Sequence, residues 1–229
     1  MKTRQSNQAR VLGAVTAVAL MFGGIGSASA YVAGSIPTGA QPNDGVVPVY
    51  GATPRSGYFG ANVWLVGGPA TLTIEYFGSE AGFDNSFAFG GSTLFNTGGG
   101  TSPSGNFTGS ALASTSVASV ASGLLDFSFT SPLGTVTNGS NPDNTTDGVV
   151  NFFATFYDPN DGTATSGTVL DLWLDDAGAN DDDDHDDMMI RLSVEGGSLT
   201  TVPIPAAVWL FGSALLGMVG IGTRRARKV

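Results

Sequence analysis

Short alternation of apolar and polar side chains is the feature that most limits the fold of this chain. It runs through residues 31–201, interrupted by Gly, Pro, Ser, Asn and Asp, and no stretch there repeats its apolar positions with the period of a helix. In the run 124–130, Leu125, Phe127 and Phe129 occupy alternate positions, so one face of a strand would meet a core and the other would meet water. The pattern predicts an all-β domain.

The clearest predicted strands are rich in aromatic or branched residues and lie at 58–66, 71–77, 124–130, 149–157, 169–174 and 188–194. So many short strands favour a two-sheet β-sandwich, of the jelly-roll or immunoglobulin-like kind, over a solenoid, and the sequence has no repeat of fixed period. The polar, Gly-rich stretches 34–45, 96–109 and 134–147 are predicted to be loops.

The first 30 residues have the layout of a secretory signal peptide. Three basic residues precede an apolar run at 11–25, and the small side chains of Ala28 and Ala30 fit a cleavage site before Tyr31. We therefore expect residues 1–30 to direct export and the exported chain to begin at Tyr31.

The other end of the chain predicts a membrane anchor. Residues 206–223 carry no charge, and as a helix they would cover about 27 Å, close to the thickness of a hydrocarbon core. The basic tail 224–228, which includes Arg224 and Arg225, follows directly and is expected to stay in the cytoplasm. Both ends thus place the body, residues 31–201, outside the cytoplasm and anchored at the inner membrane.

The C-terminal segment 202–229 also contains a specific motif. Pro203, Pro205 and Trp209 lie in the run VPIPAAVWLFGS, ahead of the apolar stretch and the basic tail. This arrangement resembles the PEP-CTERM protein-sorting signal of Gram-negative bacteria, with Ile204 where the name-giving pattern has Glu. The resemblance implies sorting by an exosortase-type processing enzyme, in bacteria that make exopolysaccharide, and release to the cell surface or extracellular matrix.

The charge of the body is almost entirely negative. All nineteen acidic residues lie between Asp44 and Glu195, a stretch in which Arg55 and Arg191 are the only bases. Such a body repels phosphate backbones and attracts divalent cations, so nucleic acid is not expected as a partner. The chain has no Cys, which excludes disulfides and zinc-thiolate sites.

The strongest chemical feature is an acidic loop at residues 175–187, in which eight of thirteen residues are Asp. Carboxylates so close together repel one another unless they stay solvated or share cations, and hard oxygen ligands suit Ca²⁺. The predicted calcium ligands are Asp175, Asp176, Asp182, Asp184, Asp186 and Asp187. The alternative is a solvated acidic hairpin that aids solubility, and in either case His185 is expected to face solvent.

The acidic loop is not an EF-hand, because the segments on either side of it have the pattern of strands. It resembles the acidic loops of β-sandwich domains that are common in bacterial surface proteins. The run 76–87 resembles another segment of the same exported proteins, and this second resemblance implies that Glu80 or Asp84 reaches the metal.

The leading functional hypothesis is a non-catalytic, calcium-stabilised surface or matrix protein. The second is a carbohydrate-binding module for exopolysaccharide, with aromatic stacking platforms at Trp64 and Trp173 and further candidates at Tyr58 and Tyr157. Of these residues, Trp173 is the one most expected to be exposed, because along its predicted strand it lies on the face opposite its two leucine neighbours.

Enzymatic activity is the third possibility and the least favoured. A Ser-His-Asp site would have to use His185, the only His in the chain, and no G-x-S-x-G motif is present. A carboxylate pair of the glycoside-hydrolase kind remains open, since Asp and Glu are plentiful and their separation depends on the fold.

Overall fold

The computed structural model describes residues 32–36, 49, 55–98, 107–157, 164–179 and 184–201. The predicted signal peptide and the segment 202–229, with all of its predicted sorting residues, lie outside these described residues. Within the described part of the chain, no helix has the length and apolar character needed to cross a membrane.

The described residues are arranged as antiparallel β-strands, so the all-β prediction is confirmed. The strands are β1 (Val32–Ile36), β2 (Arg55–Phe59), β3 (Trp64–Val66), β4 (Ala70–Gly78), β5 (Ser86–Phe89), β6 (Ser92–Asn96), β7 (Ala113–Val120), β8 (Gly123–Leu124), β9 (Phe127–Ser131), β10 (Gly134–Thr137), β11 (Asn151–Phe156), β12 (Ser166–Gly167), β13 (Val169–Asp175), β14 (Met188–Glu195) and β15 (Ser198–Thr200).

These strands form three sheets. The first sheet has seven strands in the order β1-β2-β11-β13-β14-β4-β7. The second sheet has the order β10-β9-β5-β6, and the third has the order β12-β15-β3-β8. In the first sheet, β13 and β14 pair with each other and have β11 and β4 as outer neighbours, so this hairpin is enclosed by other strands.

Every predicted strand is present, although some are divided. The predicted strand 58–66 is split into β2 and β3, because the chain bends after Phe59 and Gly60 adopts a φ of +68°. Two of the predicted loops are wrong in part: β1 extends to Ile36, and β10 covers Gly134–Thr137. In β10, hydrogen bonds to β9 stabilise a segment whose polar composition alone favours a loop.

One apolar core is shared by all three sheets. The first sheet contributes Leu172 and Ile190, the second contributes Phe87 and Phe129, and the third contributes Leu65. The two phenylalanine rings meet edge to face, with 5.0 Å between their centroids. Burial of each such side chain contributes roughly 1.5–3 kcal/mol to stability through removal from water.

The first sheet is also covered on its opposite face. A second apolar group, here called the outer cluster, consists of Ile36, Phe59, Phe77, Phe107, Phe153, Trp173 and Met189. Phe107 stacks on Trp173, with 5.8 Å between the ring centroids. Because the core packs on one face and the outer cluster on the other, β13 and β14 are buried on both sides over most of their length.

Candidate functional site

The acidic loop joins β13 to β14 and therefore lies at one end of the most enclosed hairpin of the first sheet. Asp182 lies outside the described residues. Of the other predicted ligands, Asp184 is half-buried, and four are buried with no more than 6% of their surface exposed: Asp175, Asp176, Asp186 and Asp187. The expectation of a solvated hairpin is therefore wrong for these four carboxylates.

Asp175 stabilises the turn that follows β13. Its Oδ1 accepts hydrogen bonds from the backbone N–H groups of Ala177, at 3.0 Å, and of Gly178. Its Oδ2 accepts one from the side chain of Asn151 at 3.2 Å. Gly178 has a φ of +78°, and a Cβ at this position would lie only 2.7 Å from the carbonyl oxygen of Thr146. Hydrogen bonds thus occupy both oxygens of Asp175, which gives it a structural role.

His185 is buried in this end of the sheet, so the expectation that it faces solvent is wrong. Its Nε2–H donates to the side-chain oxygen of Asn151 at 3.1 Å and lies 4.0 Å from Asp175 Oδ2. Its ring packs edge-on against Phe59 of the outer cluster, with 5.2 Å between the centroids. Burial lowers the pKa of His185 to about 3, so the ring is neutral near pH 7 and fills an apolar space.

The other carboxylates meet a different part of the chain. Asp187 Oδ2 accepts the backbone N–H of Asp176 at 2.7 Å. The side-chain nitrogen of Asn85 donates to Asp176 Oδ2 and, at 3.5 Å, to the backbone carbonyl of Asp187. Asn85 immediately precedes β5, so these contacts connect the end of the first sheet to the second sheet. Asn85, Asp176 and Asp187 are called the acidic junction below.

The backbone of the second sheet holds Asn85 in place. Its N–H donates to the hydroxyl of Thr97 at 2.9 Å, and its carbonyl accepts the N–H of Thr97 at the same distance. A further backbone bond of 2.9 Å runs from the N–H of Glu80 to the carbonyl of Asp186. The acidic junction is therefore supported by the backbone on both sides.

The surroundings of Asp187 in the acidic junction disfavour its ionised form. Burial raises the pKa of Asp187 well above its ordinary value, and the nearby carboxylates of Asp176, Asp184 and Asp175 raise it further. The hydrogen bond from the Asp176 N–H has the opposite effect but does not outweigh them. Several carboxylates are thus held together out of water.

The two bases of the body make their contacts elsewhere. Arg191 forms a bidentate pair with Asp171, with distances of 2.7 and 2.8 Å, in the middle of the β13–β14 hairpin. Arg55 donates to the backbone carbonyl of Phe156 at 3.2 Å. Because residues 44–195 contain no other Lys or Arg, the body has no further cationic side chain to offer the acidic junction.

The structure brings the predicted segment 76–87 to the acidic loop, where the backbone N–H of Glu80 donates to the carbonyl of Asp186. Asp84 is exposed. The side chain that enters the junction is Asn85, which sequence reasoning missed because an Asn before a strand is an ordinary loop residue. Within the described ranges, no three His, Asp or Glu side chains are arranged to hold a metal ion.

The aromatic residues proposed as glycan platforms are separated. Trp173 is fully buried, so the expectation that it is exposed is wrong: its face of the strand is covered by the outer cluster. Tyr58 is buried and Trp64 is half-buried in the third sheet. Tyr157 follows β11 of the first sheet, is 44% exposed, and stacks with Arg191 at 4.4 Å from its ring centroid. These four residues form no common exposed platform.

Comparison with family models, curated proteins and solved structures finds no match to this chain.

The buried His185 predicts an acid-sensitive fold. Its pKa is about 3 in the folded chain and 6.5 when unperturbed, so between these values the unfolded chain binds more protons. Its contribution to stability is complete above about pH 6.5 and is lost as the pH falls toward about 3. Below about pH 6.5 this makes the free energy of unfolding fall as the pH falls. In a His185→Gln variant, which keeps a donor for Asn151, that dependence should be weaker by up to roughly 1.4 kcal/mol per pH unit.

The measurement is urea unfolding of the full-length wild type and variant at several pH values from 5 to 7, where the ordinary carboxylates stay ionised. An unchanged slope in the variant would mean that His185 titrates normally in the folded chain.

Proposed function

We propose that this chain is an exported, non-catalytic cell-surface or extracellular-matrix protein whose β-sandwich body is stabilised by calcium. The C-terminal segment 202–229 acts as a PEP-CTERM-like sorting signal and membrane anchor. The proposal of calcium stabilisation rests on the buried acidic junction, because the two Arg side chains of the body make their contacts elsewhere. The motif VPIPAAVWLFGS carries the sorting part.

The sandwich has the first sheet as one layer and the two four-stranded sheets together as the other. The shared core supports this arrangement, because Leu172 of the first sheet belongs to the same buried cluster as Phe129 of the second and Leu65 of the third. Two apolar sheet faces that enclose one core are the defining feature of a sandwich.

A divalent cation resolves the electrostatic problem of the junction. An unpaired buried carboxylate either takes up a proton or obtains a positive partner. Calcium suits carboxylate and amide oxygens, and extracellular modules bind it with dissociation constants of roughly 10⁻⁴–10⁻³ M. A body delivered outside the cytoplasm meets calcium where such weak sites are filled.

One observation supports a non-catalytic role. His185, the single His of the chain, is buried and neutral, which makes it unsuitable as a surface general base. The burial of Trp173 also removes the strongest argument for a glycan-binding module.

The calcium part predicts a change in thermal stability. For the full-length chain purified in detergent, calcium at about 100 times the dissociation constant should stabilise the fold by about 2.7 kcal/mol relative to excess chelator. This corresponds to a rise of about 5–10 °C in the Tm of a domain of this size. Circular dichroism melts measure the effect, with magnesium as the control; an equal Tm in calcium and in chelator would refute calcium stabilisation.

The sorting part predicts a change in location. Deletion of residues 202–229 should convert a membrane-bound protein into a soluble exported one, because the anchor is removed. A Pro203→Ala/Pro205→Ala variant should remain in the membrane but lose processing in a host that contains an exosortase. Membrane fractionation and the mass of the mature chain measure both effects. Recovery of the deleted protein in the membrane fraction would contradict an anchor in this segment.

A further inference from the structure

We propose that the acidic junction is the place where the cation binds, and that the ion joins the first sheet to the second. This inference rests on the calcium stabilisation proposed above and specifies it. It selects Asp176 and Asp187 from the predicted ligands and adds Asn85, which no sequence pattern indicated. The ligand class is a hard divalent cation that prefers oxygen donors, and calcium is the best match.

The first support is the side-chain carbonyl of Asn85. This residue is completely buried, yet its Oδ1 has no hydrogen-bond partner within the described part of the structure. Buried polar atoms nearly always have a partner, and an exception calls for an explanation such as an ion. The nitrogen of the same carboxamide contacts the carboxylate of Asp176 and the backbone carbonyl of Asp187. A half-turn of the carboxamide would bring its unpartnered oxygen to the Asp176 carboxylate.

The second support is the distribution of charge around the junction. Asp187 is buried, and its carboxylate accepts the backbone N–H of Asp176, whose own carboxylate is also buried. The nearest compensating base would have to come from outside the body, because Arg191 is held by Asp171 and Arg55 by a backbone carbonyl. A cation from solvent supplies the missing charge and an additional partner for the Asn85 oxygen.

The geometry also separates the junction from the rest of the acidic loop. Asp175 is already occupied by two backbone N–H groups and by Asn151, which assigns it to the turn. Asn85, from another sheet, instead contacts the carboxylate of Asp176 and the backbone carbonyl of Asp187. The two carboxylates and the carboxamide give three oxygen-bearing groups, and calcium completes its shell of about six to eight oxygens with water.

The position of the site has a consequence for folding. Asn85 is separated from Asp176 by 91 residues and from Asp187 by 102, so an ion bound by all three links distant parts of the chain. Binding at such a link stabilises the folded state by mass action, because the unfolded chain does not hold the three groups together. The body would then gain its full stability only after export, where calcium is abundant.

The experiment compares melts of three full-length variants with wild type, each in calcium chloride and in excess chelator. Asp187→Asn removes one carboxylate of the junction with almost no change in shape, and its amide oxygen can still accept the Asp176 N–H. Asn85→Asp adds a carboxylate to the junction. Asp84→Asn is the matched control, because Asp84 is the exposed neighbour of Asn85.

The two junction variants should respond in opposite directions. In chelator, Asp187→Asn should melt above wild type because repulsion falls, and Asn85→Asp should melt below it because repulsion rises. Calcium should raise the Tm of Asp187→Asn only slightly, because the calcium affinity of this variant is reduced about tenfold or more. In calcium, Asn85→Asp should recover at least to the wild-type Tm. Asp84→Asn should show the wild-type rise.

Other outcomes identify which claim fails. If calcium raises the Tm of wild type and of both junction variants equally, the ion binds elsewhere on the acidic loop; the location proposed here is then wrong while calcium stabilisation stands. If calcium leaves wild type unchanged, calcium stabilisation and the proposed location both fail. If Asn85→Asp lowers the Tm by the same amount in calcium and in chelator, the junction is a polar contact without an ion.

Discussion

The burial of carboxylates at the end of the β13–β14 hairpin is the constraint on which the rest of this structure depends. The two strands lie among other strands and are covered on both faces, by the shared core and by the outer cluster. The first and last residues of their connecting loop are therefore removed from water. A buried carboxylate is unfavourable unless hydrogen bonds or opposite charge compensate it.

Four of the buried acids in the described part of the chain are compensated in three different ways. Asp171 pairs with the guanidinium of Arg191. Asp175 accepts backbone N–H groups and an Asn side chain, which also fixes the turn after β13. Asp176 and Asp187 have one backbone bond between them and the carboxamide of Asn85. On our account, the third arrangement is completed by a cation, and the same ion connects two sheets.

The fold class could be predicted because a strand repeats its side-chain direction every two residues, and this period is visible in 169–174 and 188–194. Strand β7, Ala113–Val120, was missed because it is mostly Ser, Ala and Thr and carries no apolar alternation. Trp173 was wrongly placed in solvent because alternation defines two faces but not whether a distant segment covers the second one, and His185 was wrongly placed there because it lies in an acidic loop. Here Phe107 and Phe59 provide that cover.

The acidic loop could be recognised from its composition, but the different structural roles of its aspartates could not. Asp175 and Asp176 are adjacent and chemically identical, and only the fold brings Asn151 to one and Asn85 to the other. Partners separated by many residues leave no local pattern in a single sequence. No sequence pattern therefore indicated Asn85, whereas its neighbour Asp84 was considered because it carries a charge.

The most direct test of the central claim is amide hydrogen exchange of the full-length chain in calcium and in chelator. If an ion occupies the acidic junction, calcium should slow exchange most strongly in residues 79–87 and 175–178, the segments that carry Asn85 and Asp176. The strands at the far edge, such as β1, should change much less. Uniform slowing across the body, or identical exchange in both conditions, would contradict an ion that links the two sheets at this point.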